Sequence, residues 1–234
     1  MYEKNDNMYF VADDVLLWKY MSFSKFVNLL SGNLYFNRID SFEDVFEGHF
    51  PDRIKKGLEN SQYRNILVVE PLAQHILYVS CFHASDCETA FMWHQYSNQD
   101  GLAIQTTGKR LKEAFKITEE NIYLSKVKYL DYATEFFEVN GLFSLAIHKR
   151  KSFEFEKEVR CICMKMPEGL KEKQSPLDIE TPTGIKIPIN LDVLIDKIYL
   201  SPYAPSYLEE NVKMIMDKWE LHKDVINSDL YTIK

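Results

Sequence analysis

Between Glu154 and Cys161 the chain alternates without interruption. Glu154, Glu156, Glu158 and Arg160 fall on one parity, and Phe155, Lys157, Val159 and Cys161 on the other. A period of two is that of a β-strand, whose successive side chains point to opposite faces. The spacing therefore predicts a strand with three carboxylates and a guanidinium on one face, each roughly 6.5–7 Å from the next. Carboxylates that close repel one another, so at least one pKa rises unless a cation or donor compensates, and Arg160 stands next in line to do so. The ladder is a candidate site because perturbed carboxylates mark sites; the solvated outer face of an edge strand has the same pattern without a function.

Around that segment the sequence predicts one continuous α+β domain over residues 1–234, with a mixed or antiparallel sheet flanked by helices. Strands are expected at Val15–Tyr20, Leu34–Ile39, Ile76–His83, Gly101–Thr107, Ile185–Ile189 and Lys197–Leu200, where β-branched and aromatic residues gather between turn signals. Ile122–Leu130 and Ala133–Val139 read as extended, and Val225–Ile233 as a returning edge strand. A helix opens at Ser22, with Phe23, Phe26, Val27 and Leu30 at helical spacing, and ends at Gly32. A mostly polar helical stretch lies between about Asp52 and Ala73, a short helix at Gly108–Lys116, another at Leu142–Lys149, and a polar loop at Pro167–Pro182. Ser85-x-x-Glu88 and Ser206-x-x-Glu209 read as capping boxes for two further helices.

Composition narrows the function classes. No apolar run approaches the ~20 residues that span a bilayer, and the start, MYEKNDNMYFVADD, has no secretory pattern, so a cytoplasmic protein without a membrane partner is expected. Four cysteines with no C-x-x-C pair predict reduced thiols in a chain of 234 residues. A net charge of −7 argues against a broad electrostatic footprint on nucleic acid. Neither G-x-S-x-G, G-x-x-x-x-G-K-[ST] nor G-x-G-x-x-G occurs, which disfavours serine hydrolase, P-loop and Rossmann chemistry.

Beside the ladder stand the loop 40–48, where Asp44 and Glu47 interleave with Phe42 and Phe46, and the segment Met92–Ser97, where Trp93 and Tyr96 share a helix face. Cys81, His83, Cys87 and His94 fit no zinc spacing, and no tightly bound metal is expected. The basic clusters Lys109-Arg110 with Lys112 and His148-Lys149-Arg150-Lys151 are either solvated helix ends or phosphate grips.

Five fragments occur in order: Leu17-Trp18-Lys19-Tyr20; Leu34-Tyr35-Phe36 running into Ser41–Gly48; Val79-Ser80-Cys81-Phe82; Met92–Tyr96; and Phe155–Arg160. Together they resemble a bacterial family known as domain of unknown function 2971. More distantly, the plan is similar to ADP-ribosyltransferases of the toxin and DarT-like kinds: a strand, a helix ending in Gly, an aromatic middle segment and a late Glu-x-Glu. That resemblance implies NAD as a substrate. Glu158 would be the catalytic carboxylate, and Glu156 would assist the acceptor or the ribose hydroxyl. Lys19 or Arg38 would hold phosphate, Tyr20 or Tyr96 would stack with Trp93 nearby, and Asp44, Glu47 and Arg160 would complete the pocket. The partners it implies are a small-molecule nucleotide and a nucleic-acid or protein acceptor, in the setting of a bacterial stress or phage-defence effector. The usual early-strand His or Arg and the Ser-Thr-Ser segment of many toxins are missing. Two other classes compete: a metal-dependent nuclease or phosphodiesterase with Mg²⁺ on Asp44, Glu47, Glu156 and Glu158 and phosphate on Lys149 or Arg150, and a non-catalytic intracellular module binding a ligand or protein.

Overall fold

The apolar and aromatic runs become strands close to the expected bounds. The computed structural model describes residues 1–59, 67, 70–97, 99–137, 139, 141–169 and 174–233. Its strands are β1 (Leu16–Ser22), β2 (Asn33–Arg38), β3 (Leu77–Ala84), β4 (Gly101–Thr107), β5 (Ile122–Lys126), β6 (Lys128–Leu130), β7 (His148–Arg150), β8 (Glu158–Met164), β9 (Gly184–Pro188), β10 (Lys197–Leu200) and β11 (Asp224–Asn227). The helices are α1 (Phe23–Leu29), α2 (Asp52–Glu59), α3 (Glu70–Ile76), α4 (Ala90–Tyr96), α5 (Gly108–Ala114), α6 (Ser144–Ile147), α7 (Leu191–Leu194) and α8 (Tyr207–Lys218). No helix among the described residues is long and apolar enough to cross a membrane.

The main sheet runs β11-β10-β4-β1-β3-β2-β9, with β8 on β3 and β5 on β8. Its pairs are antiparallel except β10 with β11, so the sheet is mixed and helices pack against it. The short β6 and β7 form a separate parallel pair. One edge of β3 pairs with β8 from Leu77 to His83. The other edge is divided: β1 meets it at His83 and Ala84, and β2 at Tyr78 and Val79. Over Ser80, Cys81 and Phe82 no strand is registered on that edge among the described residues. The Lys19 ammonium reaches into this gap and donates to Ser80 Oγ and to the Cys81 carbonyl, both at 2.9 Å. A buried backbone acceptor left alone is costly, and the lysine removes that cost where the ladder cannot. The sheet is thereby split into two leaves that diverge from the Leu17–Trp18 junction.

Apolar packing sits on both faces. Leu17, Phe26, Phe36, Phe82, Phe115, Val159, Cys161 and Cys163 belong to the larger buried cluster. Ile39, Leu77, Val79, Leu145, Ile147 and Ile162 form a second one. β8 thus alternates between clusters, which puts Glu158 and Arg160 on the face of Ile162. All four cysteines are free thiols.

Several local expectations are corrected. Lys151–Glu156 is a 3₁₀ turn, and Lys157 takes a left-handed φ of 40°, so the strand begins only at Glu158. Three residues per turn break the alternation that the sequence shows. Neither capping box forms. Ser85 Oγ accepts from Cys87 N, Glu88 accepts from Trp93 Nε1, and α4 starts after Thr89. Glu209 is held instead by Lys213 and Asn227. Residues 132–134 form a turn rather than an extended segment, and only Ser144–Ile147 of the expected 142–149 helix is helical before β7 begins. Only Asp224–Asn227 of the returning segment is a strand, at the sheet edge. Within the expected helix at 52–73, residues 60–66 and 68–69 lie outside the described residues, as do residue 138 of the 133–139 segment and residues 170–173 of the polar loop.

Gly108 at the start of α5 shows how tightly the layers meet. A Cβ there would lie 2.0 Å from the Ala12 carbonyl oxygen, and the Gly108 N–H donates to Val15 O at 3.0 Å. Gly108→Ala is expected to cost about 3 kcal/mol, a fall in Tm of about 6–12 °C at this chain length. An unchanged Tm in thermal unfolding would contradict this packing.

Candidate functional site

A cleft of about 790 Å³ is lined by β1, α1, β2, β3, the 42–48 loop and the 149–158 segment. Its first wall is β1, α1 and β2, which present Trp18, Lys19, Tyr20, Lys25, Asn28, Tyr35 and Asn37. Its second wall is the 42–48 loop with Lys149, Arg150, Phe153, Glu156 and Glu158. Cys81, Phe82 and His83 of β3 lie between the two, and Tyr96 comes from the end of α4.

The centre of the second wall is a buried ion cluster. Lys149 Nζ lies 2.5 Å from Glu156 Oε2, 2.7 Å from Glu158 Oε1 and 3.1 Å from Glu47 Oε1. Behind it, Arg160 donates through Nε to Glu158 Oε2 at 2.7 Å. Through Nη1 and Nη2 it grips both oxygens of Glu47, at 3.0 and 2.7 Å. Its remaining partner is the Ala146 carbonyl at 3.0 Å. Arg160 has no exposed surface, and all three carboxylates are buried. Three acids face two cations, so with every acid ionised the cluster carries one net negative charge.

Local geometry places the two glutamates differently. The 3₁₀ turn and the left-handed Lys157 swing Glu156 off the strand. His83 then clamps its carbonyl, with Nδ1 donating at 2.6 Å while Nε2 accepts from the Thr89 hydroxyl at 3.0 Å. Burial lowers the His83 pKa, which fits this neutral tautomer. Glu156 Oε1 faces the cleft and accepts from Tyr96 Oη at 3.0 Å. Glu158 sits on β8 itself, and its N–H donates to Tyr129 Oη at 2.8 Å.

Environment drives the two acids apart. Burial, and then the adjacent Glu158 carboxylate, push the Glu156 carboxyl up to about 7, against the pull of Lys149. For Glu158, burial would also raise the pKa, but the Arg160 and Lys149 charges outweigh it and hold the group well below the usual carboxylate range. Burial acts against the Lys149 charge, yet the carboxylates around it keep it protonated. Two carboxyls with opposed shifts divide acid–base work: one stays ionised, and the other exchanges its proton near neutrality.

The structure brings Lys19, Tyr20, Tyr96, Asp44, Glu47, Glu156 and Glu158 to one cleft, with Arg160 directly behind. Arg38 and Trp93 do not line it. Arg38 forms a fork with Asp40, at 2.7 and 3.0 Å, and donates to Thr181, which ties β2 to the loop before β9. Trp93 is fully buried, edge-on to Tyr20 at 4.9 Å, with its N–H on Glu88. Glu154 is exposed outside the ladder. The Mg²⁺ arrangement does not fit these residues, because the oxygens that would ligate the ion converge on Lys149 and Arg160. Asp44 turns instead to Arg150, at 2.6 Å. Among the described residues, Cys81, His83, Cys87 and His94 gather no metal-ligating group either.

Sequence reasoning missed the central role of Lys149 and the character of the first wall. Its signal was available: residues 15–38 contain Lys19, Lys25 and Arg38 and no Asp or Glu, in a chain of net charge −7.

No protein-family model matches the chain, and no curated protein matches it, so the resemblance to family 2971 rests on the five fragments. Among solved structures the chain is similar to Thermus sp. 2.9 DarT in complex with NAD+, with a TM-score of 0.44 and 11% identity, over 94% of this chain and 98% of that one. It is similar to the same DarT in complex with ADP-ribosylated ssDNA, with a TM-score of 0.44 and 10% identity, over 94% and 97%. At that TM-score the likeness assigns neither a family nor an activity.

Two outcomes follow from the cluster. Arg160→Met leaves Glu47 and Glu158 buried without their guanidinium and is expected to destabilise by about 3–5 kcal/mol. Adding Glu47→Gln should recover part of that loss, and a single variant as stable as the parent in denaturant unfolding would contradict it. Glu156 has a folded-state pKa of about 7 against an ordinary 4.5. It binds its proton more tightly when folded, so its contribution is full below the ordinary value and is lost as pH rises through about 7. Tm should therefore fall across that window in the parent and flatten in Glu156→Gln, and parallel Tm–pH curves would sink the assignment.

Proposed function

We propose that the chain is a NAD-using enzyme of the ADP-ribosyltransferase type, with an ADP-ribosyltransferase-like fold formed by residues 1–234 as one domain. The observation that carries the reading is the opposed charge of the two cleft walls. Lys19 and Lys25 line the cleft from an acid-free segment, and the carboxylate-rich cluster of Glu47, Glu156 and Glu158 lines the same cleft. Lys19 gives two of an ammonium's three donors to neutral acceptors and forms no ion pair among the described residues, while burial lowers its pKa and the nearby Glu158 charge partly opposes that. NAD has matching poles, an anionic pyrophosphate and a cationic nicotinamide.

The chemistry assigns roles along that axis. Breaking the nicotinamide–ribose bond sends its electron pair to the departing ring and leaves positive charge on the ribose carbon. The ionised Glu158 carboxylate, itself buried and held in place by two cations, stabilises that charge. Glu156 takes the proton from the acceptor as the new bond to the ribose carbon forms, and its elevated pKa suits proton exchange near neutrality. Lys149 and Arg160 hold both carboxylates at fixed positions, so no reorganisation is needed during the reaction. Tyr96, 41% exposed at the cleft mouth, offers a ring face to nicotinamide, and Tyr20 forms part of the floor. Lys19 and Lys25 supply positive potential for the phosphates. The acceptor would be a nucleic acid or protein. Membership of family 2971 and work as a bacterial stress or phage-defence effector rest on the sequence resemblance.

The net charge of the cluster reaches −1 only when Glu156 is ionised. Nicotinamide release from NAD is therefore expected to rise with pH through about 7 and to lose that dependence in Glu156→Gln. Glu158→Gln is expected to lower kcat about 100-fold or more, the scale of removing one preorganised electrostatic partner. Chromatographic assay of free nicotinamide reads both. Release by the parent that Glu158→Gln leaves intact would remove this residue from the mechanism.

A further inference from the structure

We propose that the cleft wall made by α1 and β2 is a subsite for an adenosine 5′-phosphate group, with Lys25 on the phosphate and Asn28, Asn37 and Tyr35 on the nucleoside. The inference rests on the NAD reading and names the residues that would take the half of the molecule remote from the reacting bond.

The placement follows from backbone periodicity. Lys25 and Asn28 are three apart on α1 and share one helix face. Tyr35 and Asn37 are two apart on β2 and share one strand face. All four line the same cleft, and Gly32, with φ +78°, turns the chain between the two elements. No acid occurs between residues 15 and 38, so nothing on this wall neutralises Lys25.

The other cleft cations are committed. Lys149 sits among three glutamates, Arg150 is held by Asp44, and Lys19 bridges the divided edge of β3. Lys25 is exposed and forms no ion pair or hydrogen bond through its side chain with the described residues, so toward them its ammonium is available to an anion. It lies near enough to Lys19 for its charge to lower that group's pKa, after the larger effect of burial. The Asn28 and Asn37 side chains likewise make no hydrogen bond with the described residues. Each can present a donor and an acceptor together, the pattern that pairs with N6 and N7 of adenine.

Tyr35 supplies the stacking face. Its ring lies across β9 at Gly184, where a Cβ would come within 2.0 Å of the phenol oxygen, and the residue remains 40% exposed. Gly184 therefore keeps the ring in place, with one face open to a base.

Binding of AMP measured by calorimetry tests the subsite without any bond being broken. The parent is expected to bind AMP more tightly than ribose 5-phosphate. Lys25→Gln and Asn37→Leu should each weaken AMP about tenfold, the scale of one hydrogen bond involving a charge or a base edge. Lys218→Gln, a remote exposed charge change, should leave it unchanged, and Tm checks that each variant is folded. Failure of the parent to bind AMP, equal binding of ribose 5-phosphate, or AMP affinity untouched by both substitutions would overturn the proposal. If AMP behaves as expected and NAD is not cleaved, the enzymatic reading falls and the subsite stands. If nicotinamide is released and AMP affinity ignores Lys25 and Asn37, the subsite falls and the enzymatic reading stands.

Discussion

The Lys149 ammonium, buried among three carboxylates, is the contact on which the site depends. It joins segments far apart in sequence: Glu47 from the acidic loop, Glu156 from the 3₁₀ turn and Glu158 from β8. Removing ions from water costs several kcal/mol each, and the attraction between them offsets this only where geometry is good and every donor is placed. Arg160 meets that condition by gripping Glu47 with both terminal nitrogens while its Nε holds Glu158. A cluster of this kind contributes little net stability compared with an apolar core of equal volume. What it contributes is fixed positions for carboxylates and a net charge governed by one proton.

The lining of the cleft gives that charge a direction. Because β1 and β2 occupy different stretches of one edge of β3, the two leaves diverge and leave a gap that Lys19 bridges. The strand-helix-strand unit on one side carries cations and no acids, and the unit on the other carries the cluster. A ligand in the cleft therefore experiences a field along its length, strengthened by the low dielectric of the walls.

Much of this was legible in the sequence, for reasons that also explain what was not. Strands such as Gly101–Thr107 and Lys197–Leu200 are local patterns of β-formers between turns, and both appear at the expected bounds. The Glu156–Glu158–Arg160 grouping was visible as a charge pattern, although its supposed strand is half 3₁₀ turn. The alternation is real, but Lys157 adopts a left-handed conformation, a tertiary choice that periodicity does not record. Arg38 and Trp93 were assigned to the pocket from their neighbours in sequence. Arg38 is held by Asp40 nearby and by the distant Thr181, and Trp93 by Glu88 nearby and by the distant Tyr20. The same holds for Lys149, which in sequence is one cation in a basic run and in space is the hub of the acids. The aromatic share of 14% divides likewise, with Trp18, Tyr20 and Trp93 packed in one buried cluster and Tyr96 left at the cleft mouth.

The central claim is that the glutamate cluster recognises positive charge at the nicotinamide end. NAD⁺ and NADH have nearly the same shape and the same phosphates, but only NAD⁺ has a cationic ring. Comparing their equilibrium affinities at a pH above about 7, where Glu156 is ionised, isolates that term. NAD⁺ should bind about tenfold more tightly than NADH, a difference of about 1.4 kcal/mol, and the preference should shrink in Glu156→Gln. Equal affinities for the two forms, or a preference that survives the substitution unchanged, would contradict the account.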